Sequence, residues 1–241
     1  MLRRNYKHTI RNPITVFNAV LLPILMMLMF VDVFGGAFNV EGEYVDYAVP
    51  GLVIMAITYG LGPTATAVNS DMTKGIINRF KTMDVSRAAV LTGHVLSSAL
   101  RGLIAVGAII GVGFAMGFRP HASAVQWLGA IGMIVLLVFA TSWLTVAMGL
   151  AAKTPESAGL GTVPLIMLPF LSSAFVPAGT MKTGVKQFAE YQPFTPIIET
   201  LRGLLTGGHV STGHLVQAFA WTLGSGVLGY LWAVSTFKKR A

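Results

Sequence analysis

Five histidines, nine carboxylates and a scatter of hydroxyls are the side chains that could carry chemistry in this 241-residue chain. Catalysis or nucleotide binding would need them at fixed spacings: G-x-x-x-x-G-K-[ST] to wrap phosphates, H-E-x-x-H to hold zinc on one helix face, or G-x-S-x-G to present a nucleophile. None of the three occurs, so the chain is not expected to bind ATP by the usual loop. His8 and His94 fall on one side of the charge pattern described below, and His121, His209 and His214 in or beside loops on the other. Their separations match no ligand motif, and solvated loop residues are the expected reading rather than a metal site. Glu41, Glu43, Asp46, Glu190 and Glu199 could include an acid–base pair, but with no nucleophile or metal beside them they read as a solvated face. With no cysteine there is no disulfide framework and no thiol nucleophile. No catalytic residue, metal or cofactor is expected in the chain itself.

What remains is a patterned interval rather than a reactive one. In residues 71–93, Ile76, Ile77, Phe80 and Met83 line one helical face while Asn78, Arg79, Lys81 and Thr82 take the other. A short amphipathic helix is expected, with Ser70 or Asp71 capping its start and a second start signal at Asp84 and Ser86. The alternative is a plain basic loop, since loops on the inner side of membranes are basic by default.

The elements that hold this interval are membrane spans. Apolar residues make up 54% of the chain and charged residues 11%, about half the charge of an ordinary soluble domain. At roughly 20 residues per crossing the chain has room for about six helices and no soluble domain. The expected architecture is an all-α integral membrane protein, one transmembrane domain over residues 1–241. Its six transmembrane helices are expected at about 14–34, 48–69, 102–118, 125–152, 159–176 and 215–237. Pro23 lies in the first, a kink is expected at Gly62-Pro63 in the second, and Pro164 and Pro169 fall in the fifth. Gly107/Gly111 and Gly113/Gly117 read as packing faces. Residues 1–12 place Leu2, Tyr6 and Ile10 among Arg3, Arg4, Lys7, His8 and Arg11, the layout of an interfacial helix; a basic flank is the alternative. In residues 181–206, Phe188, Tyr191, Ile198, Leu201 and Leu205 have helical spacing broken by Pro193 and Pro196, so two short outer helices, re-entrant into the bilayer, are expected.

A net charge of +8 would point to nucleic acid in a soluble protein. Here the positive charge instead collects in alternate loops: residues 1–12, the 71–93 interval, Lys153, and Lys238, Lys239 and Arg240 carry most of the Lys and Arg. The positive-inside rule then places both termini and the 71–93 interval in the cytoplasm. Arg101 is expected at the inner edge of the third span, snorkelling to the headgroups, and Asp32 is expected to be hydrated at the outer end of the first. The spans are thus expected to be nearly free of charge at depth. Such a path disfavours ion coupling and suits an apolar or amphipathic substrate, with the driving energy received at the 71–93 interval.

The run from Gly75 through Arg79 to Ser86-Arg87, followed by Gly93 and an apolar span, resembles the cytoplasmic loop of type-2 ABC exporter permeases, particularly the daunorubicin-resistance efflux branch. Two further stretches agree. One is Asn12-Pro13 with Val33-Phe34-Gly35-Gly36. The other is Phe175-Val176-Pro177 followed by Gln192-Pro193-Phe194-Thr195-Pro196 and Leu201-Arg202-Gly203-Leu204. Many relatives carry a proline shortly before the Ser-Arg pair, where this chain has Met83-Asp84-Val85; Asp84 can still cap the following helix. The resemblance implies a subunit of a bacterial plasma-membrane exporter that pairs with a second permease copy, as a homodimer, and sits on two copies of a separate ABC ATPase subunit holding ATP and magnesium. It implies that Gly75, Arg79, Phe80, Met83, Ser86 and Arg87 form a coupling helix docked on that ATPase. The cargo expected is a hydrophobic or amphipathic compound, such as a drug, secondary metabolite or lipid; substrate-binding residues are not legible. The competing classes are an ion-coupled secondary transporter or channel, and an intramembrane enzyme acting on lipid, for which no assembled site is visible.

Overall fold

A computed structural model of the chain describes residues 13–38, 40, 42–73 and 87–240, with side chains from 21 to 73 and from 91 to 239. Among the described residues every regular element is helical. Helix α1 (Pro13–Leu28) starts on a proline, whose missing N–H is an orphan at that position anyway. It continues into a π-helical turn, Met29–Val33, closed by Phe34 N donating to Met29 O at 3.1 Å. Helices α2 (Tyr44–Tyr59) and α3 (Leu61–Thr73) form one long rod with a joint at Gly60. The sequence suggests a kink at Gly62-Pro63; the joint lies three residues before Pro63, because a proline disrupts the bond to the carbonyl four residues back, here that of Tyr59.

Helix α4 (Arg87–Ala115) and helix α5 (Ala124–Ala151) follow, parted by the positive-φ Gly117. A capping box starts α5: Ser123 Oγ accepts from Gln126 N, and Gln126 Oε1 accepts from Ser123 N at 2.8 Å. A second box, Thr154 with Ser157, starts α6 (Pro155–Gly161). Where a single span over 159–176 is expected, the chain instead breaks into α6, α7 (Val163–Met167) and a 3-10 turn, Leu168–Leu171. Pro164 and Pro169 each remove a helical donor, and Thr162 Oγ1 bonds Gly159 O at 2.7 Å at the first break. Residues 181–206 contain α8 (Thr183–Tyr191) and α9 (Phe194–Thr206), parted at Gln192-Pro193. Pro196 does not break the chain as expected: it lies in the first turn of α9, where no donor is needed. The long α10 (Thr212–Arg240) closes the order.

Among the described residues, three helical stretches are long and apolar enough to cross a membrane: Tyr44–Thr73, Leu91–Ala115 and Ala124–Ala151, of 30, 25 and 28 residues. Helix α2 is buried almost all round, from Ala48 to Thr58, as expected of an apolar helix at a bundle centre. It packs against α1, α4 and α9 around Leu52, Ile54, Met55, Ile109, Ile198 and Leu201. Helix α5 organises the other half, against α3 and α10. Its close approach to both depends on two glycines. A Cβ on Gly149 would lie 2.6 Å from Ala65 O, and one on Gly229 would lie 2.6 Å from Leu144 N. A smaller apolar cluster, with Val68, Leu91, Val95, Val146, Leu150 and Phe237, fills the end of the bundle where residues 73 and 87 lie.

Candidate functional site

Of the residues implicated in coupling, Gly75, Arg79, Phe80, Met83 and Ser86 lie outside the described residues, and Arg87 is the first residue of α4 with its side chain outside them. The amphipathic pattern of residues 1–12 lies outside them as well. What the structure does show is how the two flanks of the 74–86 segment are anchored. Helix α3 leads into the segment and α4 leads out of it. The two are joined to each other by His94 and Asp71, whose Nε2 and Oδ2 are 3.3 Å apart, with the His94 side chain 6% exposed. Asp71 is thus a residue of α3 that faces α4.

The same flank is fastened to the end of α5. Asn69 Nδ2 donates to Gly149 O at 3.0 Å and to Ala152 O at 2.7 Å. The last carbonyls of a helix have no partner within it, so one buried amide closes the end of α5 and ties it to α3. Thr66 Oγ1 donates to Pro155 O at 3.3 Å, adding α6 to the joint. Val68, Leu91, Val95 and Leu150 pack beneath these bonds. Helices α3 and α4 and, through Asn69, α5 are thus held together at the end of the bundle from which residues 74–86 continue.

Helix α4 is longer than the span expected from residue 102. Of the polar residues that precede residue 102, Ser97 Oγ bonds Gly93 O at 2.8 Å and Ser98 Oγ meets Thr64 Oγ1 at 3.1 Å, while His94 Nε2 lies 3.3 Å from Asp71 Oδ2 without hydrogen-bond geometry. Arg101 consequently does not sit at a helix edge. It lies fourteen residues past Arg87 and fourteen before Ala115 in α4, and its NH2 donates to Thr64 Oγ1 at 3.0 Å. The deep part of the bundle is not free of charge.

A second polar knot lies at the other end. Arg202 on α9 covers the Tyr47 ring at 3.7 Å, and its NH1 pairs with Glu199 at 2.6 Å. Its Nε donates to Tyr47 O at 3.2 Å and its NH2 to Ser173 O at 2.7 Å. Tyr47 OH donates to the same Ser173 O at 2.9 Å, and Tyr44 OH to Phe175 O at 3.1 Å. Thr195 Oγ1 accepts from Gln192 Nε2 at 3.2 Å and from Ser173 N at 3.3 Å. Three stretches far apart in sequence, around Phe175, around Gln192-Pro193 and around Arg202, therefore converge on one buried joint. Glu199 belongs to it and is not part of a solvated face. Asp46 Oδ1 accepts from Arg119 N at 3.0 Å nearby. Among the described residues no three histidines or carboxylates come close enough to hold a metal ion.

Among the described residues the chain is a helical bundle with long apolar helices and irregular helical breaks, the architecture of an integral membrane protein. Residues 1–206 match the family model described as ABC-2 type transporter, and the chain belongs to that family. It is 30% identical over 197 residues, covering 81% of this chain and 70% of the relative, to the daunorubicin resistance ABC transporter permease protein DrrB1 of Streptomyces coeruleorubidus. It is 29% identical over 220 residues, covering 89% of this chain and 78% of the relative, to a protein of Mycobacterium tuberculosis named "Probable doxorubicin resistance ABC transporter permease protein DrrC". A more distant similarity, 23% over 213 residues and covering 85% and 72%, is to the "Putative transport permease ycf38" of Cyanophora paradoxa. The chain is a membrane protein and an ABC transporter permease.

Proposed function

We propose that the chain is the transmembrane subunit of an ATP-driven exporter that moves a hydrophobic or amphipathic compound out of a bacterial cell, and that the drug-resistance character of its relatives extends to it. Two copies would pair, each on an ABC ATPase chain that holds ATP and magnesium. The polypeptide would cross the membrane six times with both termini in the cytoplasm, the broken stretch 155–171 serving as the fifth crossing and α10 as the sixth. The chain then carries its positive charge on the inner side, as the membrane potential and the insertion rule favour. Helices α8 and α9 would form the outer pair.

The observation that carries this reading is the anchoring of the two helices that flank residues 74–86. Closure of an ATPase pair does work only if the element it pushes is rigidly joined to the spans. Here both flanks are helices long and apolar enough to span, brought together at His94 and Asp71 and fastened to α5 by Asn69. Phe80 and Met83 would supply an apolar docking face, Arg79 and Arg87 its orientation by charge, and Gly75 and Ser86 its two turns. Arg101 does not favour ion coupling in its place, because a guanidinium neither gives up its proton nor binds a cation.

Purification of the tagged chain from mildly solubilised membranes, with an ATPase assay of the eluate, tests this. A near-stoichiometric Walker-motif protein should be recovered with the wild type and lost with Phe80→Asp and Met83→Asp combined. A chain recovered alone, with transport that persists without ATP and collapses with the proton gradient, would defeat the proposal.

A further inference from the structure

Arg101 holds a cation among apolar helices with most of its hydrogen-bonding capacity unused. A guanidinium has five N–H donors, and Thr64 Oγ1 receives one of them. Thr64 has nothing further to offer. Its hydroxyl donates to Gly60 O at 2.9 Å, so the contact with Ser98 at 3.1 Å must be donated by Ser98, and both acceptor positions of Thr64 are then filled. No carboxylate lies within ion-pairing distance of Arg101 among the described residues. The contrast with Arg202 is direct: that guanidinium has a carboxylate, two carbonyls and an aromatic ring.

The position makes the unused donors costly. Arg101 lies at the middle of α4, about 21 Å along the helix from Arg87 and about 21 Å from Ala115, at 1.5 Å per residue. An arginine at such depth faces a partner or a polar cavity, because hydrocarbon offers its donors nothing. Thr64, 1% exposed, and Ser98, 7% exposed, fix the inner edge of the guanidinium. The same two helices carry exposed apolar residues one turn or less away in sequence, Pro63 and Ala67 on α3 and Leu100 and Ile104 on α4. A planar fork with an anchored edge and a free edge is the geometry that takes a carboxylate or phosphate through two parallel bonds, with apolar surface beside it for a hydrocarbon tail.

We propose that Arg101, positioned by Thr64 and Ser98, binds the carboxylate or phosphate of an anionic amphiphile that reaches it from the lipid. The same chemistry could come from a resident phospholipid or from cargo in transit. The site does not depend on where an ATPase docks, so its failure and failure of the coupling assignment are separable.

The binding test uses the full-length chain in phosphatidylcholine nanodiscs, with cis-parinaric acid as the fluorescent carboxylate probe and its methyl ester as the neutral one. Arg101→Gln should weaken the acid by about ten- to a hundredfold, the range of a charged hydrogen-bonded pair, and leave the ester unchanged. Arg101→Lys should recover only part of the affinity, since it keeps charge but loses the fork. Lys153→Gln, an exposed cation elsewhere, should change nothing. Should Arg101→Gln fail to fold, Thr64→Val keeps the charge and loosens its anchor, and should weaken the acid selectively by several-fold. The sources separate in two further measurements. Phosphatidylglycerol retained through delipidation by wild type and lost by Arg101→Gln, read by native mass spectrometry, identifies a lipid. Loss in Arg101→Gln of ATP hydrolysis stimulated by parinaric acid in the intact complex identifies cargo. Equal affinity for acid and ester, unaffected by any of these substitutions in folded protein, overturns the proposal.

Discussion

Two arginines in apolar surroundings have opposite fates in this bundle, and the difference lies in what each side chain meets. Arg202 is enclosed by Glu199, the Tyr47 ring and the carbonyls of Tyr47 and Ser173. Charged hydrogen bonds of this kind contribute about 1.5–3 kcal/mol each, and removing the cation leaves Glu199 and two carbonyls without it. Arg202→Ala is therefore expected to destabilise the chain by about 3–5 kcal/mol. Arg202→Lys should rescue little, because an ammonium cannot reach three acceptors in one plane. Thermal unfolding in detergent measures both, and full stability in the lysine variant would contradict the role assigned to the fork. Asn69 is the corresponding residue at the 73/87 end. Asn69→Leu keeps the volume but strips two carbonyls of their donor, a cost of about 1–3 kcal/mol. In a complex coupled through α3 and α5, it should also lower transport per ATP hydrolysed.

At the scale of elements, two helix contacts and one joint are decisive. Gly149→Leu places a side chain where a Cβ alone would meet Ala65 O at 2.6 Å and Val68 Cβ at 2.9 Å. Helices α3 and α5 would be forced apart, and yield of folded protein should fall sharply. Gly132→Leu on the same helix, where nothing lies within 4 Å, should be tolerated. Folded yield by size-exclusion chromatography compares the pair directly. The joint at Gly60 separates α2 from α3, so the regular helix is interrupted between its buried half and the half that leads toward residues 74–86. Pro63→Ala returns a donor to the Tyr59 carbonyl and should straighten the rod. The expected outcome is unchanged or raised thermal stability with reduced export, a split that a purely structural proline would not give.

Orientation is a property of the whole molecule, and the absence of cysteine makes it simple to test. A single cysteine at Tyr191, 76% exposed on α8, should react with a membrane-impermeant maleimide in intact cells. One at Lys153, between α5 and α6, should react only after permeabilisation. The reverse pattern would invert the proposed topology and remove residues 74–86 from the reach of a cytoplasmic ATPase.

Composition and charge distribution made the membrane class legible, because burial in hydrocarbon demands long apolar helices and membrane insertion sorts Lys and Arg by side. The break at Gln192-Pro193 was legible too, since proline acts locally. The family could be read from motif order, yet not why those motifs travel together. Phe175, Gln192 and Arg202 are separated by chain and meet only when α9 packs on α2, so their shared joint belongs to tertiary structure. Counting apolar residues from Gly102 placed Arg101 at the edge of a span and left Ser97, Ser98 and His94 outside it. Their partners, Gly93 in the same turn and Thr64 and Asp71 on α3, keep those polar groups inside the bundle, extend α4, and carry a cation into its depth. Hydrogen-bond satisfaction between helices decided what one helix's composition could not.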